Sequence, residues 1–133
     1  MVDYPRAEHG FSSHVAVTKG TQAHRMLFDT GLSPTGCTEN LARLGLKASD
    51  LEAIVLSHGH FDHATELSGL VATLGRASLP VVIHPEFWSR RRLVIPGREP
   101  MDLPTTSRPA LTHAGFEIIE KRQPSFCWTA RSS

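Results

Sequence analysis

Ser57-His58-Gly59-His60-Phe61-Asp62-His63 is the stretch on which the reading of this chain turns. Positions 58–63 hold three histidines and one aspartate. Before them comes Ala53-Ile54-Val55-Leu56, a short, continuous, branched apolar run that predicts a buried strand. After them comes Ala64-Thr65-Glu66-Leu67-Ser68-Gly69-Leu70, which carries a helical pattern. The cluster therefore belongs on a loop at a strand's carboxyl end, where open α/β sheets place ligand sites. His58 and His60 are two apart, so in an extended loop their imidazoles point the same way. Asp62 and His63 are adjacent, diverge, and suit a second centre. Imidazole and carboxylate are natural ligands of zinc, and also of iron or manganese. Two metals ~3.5–4 Å apart share a hydroxide and clamp a substrate oxygen. A loop that merely faces water is the bland alternative. It suits one histidine better than four ligand-type side chains directly after a strand.

The chain has 133 residues, enough for one domain with a core. A net charge of +1 gives no electrostatic ground for nucleic acid or an anionic membrane as partner. No apolar run approaches the ~20 residues of a membrane span. The first residues, Met1-Val2-Asp3-Tyr4-Pro5-Arg6, lack the apolar core of a signal peptide, so a cytoplasmic location is expected. Cys37 and Cys127 do not form a CxxC pair, which speaks against a zinc knuckle or a disulfide scaffold.

Residues 11–19 read as a strand and 25–28 as its partner across the turn Lys19-Gly20-Thr21. Asp29-Thr30-Gly31 ends that second arm, with Asp29 accepting backbone hydrogen bonds and Gly31 supplying unusual dihedrals. Thr38 is expected to cap a helix over 39–44 that buries Leu41 and Leu44 and stops at Gly45. Ser49-Asp50-Leu51-Glu52 predicts one capped helical turn. A helix over 64–74 would pack Leu67, Leu70, Val71 and Leu74 on the sheet. Residues 79–83 form the next buried strand, and His84 either lines the site or caps the following turn. A short helix is expected over 85–92, with Phe87 and Trp88 as packing residues and Arg90-Arg91-Arg92 as a solvated face, a phosphate-binding role being the alternative. Pro96, Pro100, Pro104 and Pro109 make the segment that follows an extended loop, long enough to cover a site. A helical turn over 110–114 leads into a strand over 116–120.

His58-Gly59-His60-Phe61-Asp62-His63 resembles the signature of the metallo-β-lactamase fold superfamily, with Leu27-Phe28-Asp29-Thr30-Gly31 upstream as support. Glu8-His9-Gly10-Phe11-Ser12 and Val82-Ile83-His84-Pro85 resemble the branch of the ribofuranosylaminobenzene-phosphate dihydropterin synthases. The resemblance implies an α/β fold, an αβ/βα sandwich of which this chain matches the N-terminal half: one mixed sheet with flanking helices. It implies that His58 and His60 bind a first metal and that Asp62 and His63 bind a second. Two Zn2+ sites are expected, with iron or manganese as alternatives. Asp62 would also orient a metal-bound hydroxide that attacks a small-molecule substrate. Asp29 would lie under the ligands and orient them. Glu8, His9 and His84 would lie near the site mouth.

The matching region is expected to run over residues 8–126. Three family ligands have no counterpart: a third histidine of the first metal, a bridging aspartate and a last histidine of the second. His113 stands in the wrong context to supply one. A sheet patterned for burial on both faces would expose one of them, so self-association through that face is expected. Residues 127–133 read as an aberrant tail. Under one choice of codons the neighbouring frame gives Leu-Leu-Asp-Gly-Gln-Val-Leu, the product expected of a single-base deletion near codon 126. A genuine short protein is the alternative. Two functional readings follow. One is a truncated metal-dependent hydrolase. The other is a non-catalytic remnant or metal-binding module that a partner chain completes.

Overall fold

The computed structural model describes residues 4–74 and 79–125. The tail over 127–133 lies outside the described residues. Strands β1 (Ser13–Lys19) and β2 (Gln22–Phe28) form an antiparallel hairpin. Helix α1 (Gly36–Arg43) follows, then a 3-10 turn over Ala48–Asp50 and strand β3 (Ala53–Val55). Helices α2 (Phe61–Ala64) and α3 (Leu67–Leu74) come next, then β4 (Leu79–Ile83) and a 3-10 turn over Pro85–Trp88. Strands β5 (Arg92–Leu93) and β6 (Met101–Asp102) pair antiparallel with each other. Helix α4 (Arg108–His113) and strand β7 (Phe116–Glu120) complete the described fold.

The main sheet is mixed, in the order β1-β2-β3-β4-β7, with β2, β3, β4 and β7 all parallel. Its register lines up Leu27, Ile54, Val81 and Ile118 on one face. The first three are 0–1% exposed and join Leu41, Leu67 and Leu70 of the helices in one core. One residue further along, Phe28, Val55, Val82 and Ile119 form the matching row on the other face. All four are apolar, and all stay partly exposed. The sheet thus buries one face under helices and leaves an apolar row on the other. The ligand loop emerges at the same end, just past Val55.

Several local expectations change. The helix expected over 64–74 starts at Phe61 and breaks between α2 and α3, at Thr65 and Glu66. Glu66 is fully buried, and its carboxylate accepts from the backbone N–H of Cys37 (2.6 Å) and Thr38 (2.8 Å) and from Thr38 Oγ1 (3.0 Å). It caps the start of α1 from a distance, the task expected of Thr38, and its negative charge suits a helix N-terminus. Leu44 is 60% exposed rather than buried, because it is the residue at which α1 ends, and Gly45 (φ +71°) then turns the chain away. Gly69 is needed for close approach: a Cβ there would lie 1.8 Å from the Pro34 carbonyl oxygen. The proline-rich segment expected to be a bare loop contains β6. Its end, Pro104 to Ser107, walls a cavity of about 240 Å³ with Phe61, Thr65 and Leu111. It therefore lies against the flank of α2.

Burial holds the Glu66 carboxyl above the usual glutamate range, against the pull of its hydrogen bonds. A folded-state value above the unfolded one means that the folded chain binds more protons in the interval between them. Stability from this group therefore falls as pH rises through that interval. Glu66→Ala should strand the donors of α1 at roughly 1–3 kcal/mol each. Glu66→Gln should lose the gain in stability that the parent shows on acidification from neutral pH towards the usual glutamate range. Urea unfolding of parent and variants at a series of pH values checks both.

Candidate metal centre

The site grows from the end of β2. Asp29 adopts a left-handed backbone (φ +56°) and is 1% exposed. Aspartate tolerates this region better than most residues. Here the turn drives its carboxylate under the ligand loop. Asp29 Oδ1 accepts from Ser57 N (2.7 Å), and Oδ2 accepts from Ser57 Oγ (2.7 Å) and His63 Nδ1 (2.8 Å). The backbone follows the same path: Asp29 N donates to Val55 O (2.9 Å) and Thr30 N to His63 O (2.8 Å).

Those contacts fix two histidine tautomers. A carboxylate only accepts, so His63 donates from Nδ1 and leaves Nε2 with its lone pair. Ser57 Oγ gives its proton to Asp29, so at 2.8 Å from His58 Nδ1 it accepts from that nitrogen. His58 Nε2 is then also free to ligate. Burial and the neighbouring His63 and His60 rings push the His58 imidazole below its ordinary pKa, which favours the neutral form that binds metal.

The rings gather in space. The His58 ring centroid lies 4.5 Å from that of His60 and 4.3 Å from that of His63. The two expected pairs therefore share a wall. Asp62 sits in the first turn of α2, with Oδ2 3.7 Å from His63 Nε2 and 3.1 Å from His9 Nε2. Ligand-type atoms of Asp29, His58 and His63 all fall within 4.8 Å of one another. The oxygens of Asp29 in this set already accept three hydrogen bonds, from Ser57 N, Ser57 Oγ and His63 Nδ1. The set fits a divalent ion: the Nε2 atoms of His58 and His63 left free by their Nδ1 contacts, a carboxylate at the rim and a buried acid that holds the rings.

The outlying residues divide. His9 reaches the cluster through Asp62, and its neighbour Gly10 has no room for a side chain, since a Cβ would lie 2.2 Å from Asp62 O. Glu8 instead accepts from Leu32 N (3.2 Å) and Ser33 N (3.0 Å), and its contacts with Ser33 hold its carboxyl below the usual range. It ties down the loop before α1. His84 takes the capping role of the two weighed for it, with Nδ1 accepting from Glu86 N at 3.2 Å. Two contributors were missed in the sequence. Ser57 relays between Asp29 and His58. Arg91, expected on a solvated face, donates to the Gly59 carbonyl oxygen at 3.3 Å. Only the place of Ser57, immediately before the histidines, hinted at its role.

A mixed parallel sheet with a histidine-rich ligand loop at its carboxyl edge defines the class. A model of the metallo-beta-lactamase superfamily matches residues 10–122, and the chain belongs to that superfamily. A 7,8-dihydropterin-6-methyl-4-(beta-D-ribofuranosyl)-aminobenzene-5'-phosphate synthase of Methanocaldococcus jannaschii is 29% identical over 82 residues, 62% of this chain and 28% of that protein. A ribonuclease Z of Pseudomonas putida is 34% identical over 90 residues, again 62% of this chain and 27% of that protein. The metallo-beta-lactamase fold protein YhfI from Bacillus subtilis superposes on 96% of this chain and 44% of its own, with TM-score 0.50 and 20% identity, a likeness of fold. The matches thus span between about a quarter and about half of these relatives. Among the described residues no helix is long and apolar enough to cross a membrane.

Asp29→Asn keeps the size of the side chain and tolerates the left-handed turn, but its NH2 cannot accept, so the three hydrogen bonds from Ser57 and His63 cannot all be kept. Zinc affinity should fall ~10–100-fold, the usual cost of losing a partner that orients a ligand. Competition against a chromogenic chelator measures it. Unchanged affinity would reduce Asp29 to a turn former.

Proposed function

We propose that this chain carries the ligand loop of a metal-dependent hydrolase, with His58, His60, Asp62 and His63 as ligands and zinc as the metal. One observation carries the reading: Asp29 and Ser57 hold His63 and His58 in the tautomers that free their Nε2 atoms. A divalent ion bound there supplies Lewis acidity, polarising a substrate oxygen and acidifying water. The rest falls to the protein. Asp29 fixes the ring planes from beneath, accepting the hydrogen bond of His63 Nδ1–H. Asp62 Oδ2, at the rim and within reach of His9, accepts a hydrogen bond from the attacking water and orients it. A small-molecule substrate suits a chain with net charge +1 better than a polyanion does. Ester, lactone and phosphodiester bonds are the class to survey, in line with the hydrolases of this superfamily.

The test is metal content after a chelator wash, together with turnover of chromogenic substrates of those classes. Zinc should be retained by the parent chain, and His58→Ala should weaken it by at least ~100-fold and abolish metal-dependent turnover. A parent chain that retains no zinc would argue instead for a non-catalytic remnant.

A second reading rests on the row Phe28, Val55, Val82 and Ile119, apolar and partly exposed beside the ligand loop. In this reading the chain is a metal-binding module that a second copy completes. Two such faces packed together would bury both rows. Sedimentation equilibrium should give a dimer, and Val82→Glu should return it to monomer. A monomer at every concentration, with zinc present, would exclude it.

A further inference from the structure

Gly59 stands between two proposed ligands, and glycine is the residue least able to hold its own conformation. The structure supplies an external hold. The Arg91 guanidinium donates from Nη1 to the carbonyl oxygens of Gly59 (3.3 Å), Phe87 (3.1 Å) and Ser89 (2.9 Å). Its Nη2 reaches Glu86 O at 3.5 Å. Gly59 is buried, and a Cβ on it would lie 2.2 Å from Phe87 O and 2.7 Å from Arg91 Nη1. The centre of the His58-Gly59-His60 tripeptide is therefore pressed onto the 3-10 turn over Pro85–Trp88, with the guanidinium bridging the two. That turn is itself firm: Phe87 is 4% exposed and belongs to the core, and His84 caps the turn's first N–H groups. The arginine backbone is held as well, since Leu103 N donates to Arg91 O at 2.9 Å.

We propose that Arg91 is a positioning residue for the metal centre, setting the spacing of His58 and His60 by fixing the peptide between them. This rests on the metal-binding reading above. A planar cation with several donors in a fixed fork suits the task, because one side chain can hold carbonyls from two separate segments. Lysine also gathers its donors at one nitrogen, but it lacks the second nitrogen that reaches Glu86 O and the rigid plane that holds Nη1 between the two segments. Asp29 and Ser57 orient the rings from below, and Arg91 sets the backbone from the side.

Three chains are compared: the parent, Arg91→Lys and Arg91→Ala. Each is stripped of metal and titrated with Co2+ alone, read by its visible absorption and by competition with a chelator. The thermal midpoint of each metal-free chain is recorded alongside. For Arg91→Ala the expected result is ~10–100-fold weaker Co2+ binding with an altered spectrum, as for other groups that orient ligands. Arg91→Lys should keep the metal-free midpoint of the parent while recovering only part of the affinity. If Arg91→Ala does not fold, Arg91→Lys decides. Parent-like affinity and spectrum in a folded variant would overturn the positioning role while leaving the metal reading intact. A parent chain that takes up no Co2+ would overturn the metal reading, and this role with it.

Discussion

Asp29 is the point on which the rest of the structure depends. A left-handed backbone costs a non-glycine residue on the order of 1 kcal/mol. Burial of an ionised carboxylate costs more unless hydrogen bonds replace its water. Both costs are offset at one place, because the turn that strains the backbone also aims the carboxylate at Ser57 and His63. Two stretches far apart in sequence meet there: the end of β2, and the ligand loop from Ser57, two residues past β3, to His63 in α2. Without that carboxylate the ligand loop would still follow its strand, but its rings would have no fixed orientation.

A second buried acid plays a similar part without touching the cluster. Glu66 fills the start of α1 with its carboxylate and so docks α1 on the segment that leads out of the ligand loop. The two carboxylates divide the labour. Asp29 holds the loop to the sheet, and Glu66 holds the helix after the loop to the helix before it. Both accept backbone N–H groups, so each carboxylate is met by hydrogen-bond donors of the chain itself.

How much of this could be read in the sequence depended on whether the deciding contact was local. The ligand loop stood out because its chemistry is concentrated in six consecutive positions after a short branched run. The hairpin and the parallel strands were legible from apolar runs and turn residues. Asp29 was legible as a turn former and, through family likeness, as a residue beneath the ligands. Contacts across long separations were not. Thr38 looked like a cap because it precedes a helical pattern, but Glu66, 28 residues away, supplies the cap. Arg91 sits among three consecutive arginines, where local pattern suggests solvent; its carbonyl partner is 32 residues away. Leu44 lay at helical spacing from Leu41, but the helix ended first, so its side chain never reached the core.

The exposed row ties the sheet to the chemistry. Phe28 adjoins Asp29, and Val55 lies two residues before Ser57, so the row runs up to the carboxylate network itself. Any layer that covers these side chains must end beside the rings of His58 and His63. Covering the row removes apolar surface from water, and the same move lowers the dielectric around the ligands and strengthens their hold on a cation. Were a second copy to cover this face, metal binding and association would be linked: a partner that binds only where the loop is ordered would raise metal affinity, and the metal would raise partner affinity by the same factor. A loop preorganised by Asp29 and Arg91 makes that linkage stronger, because less ordering is left for either event to bring about.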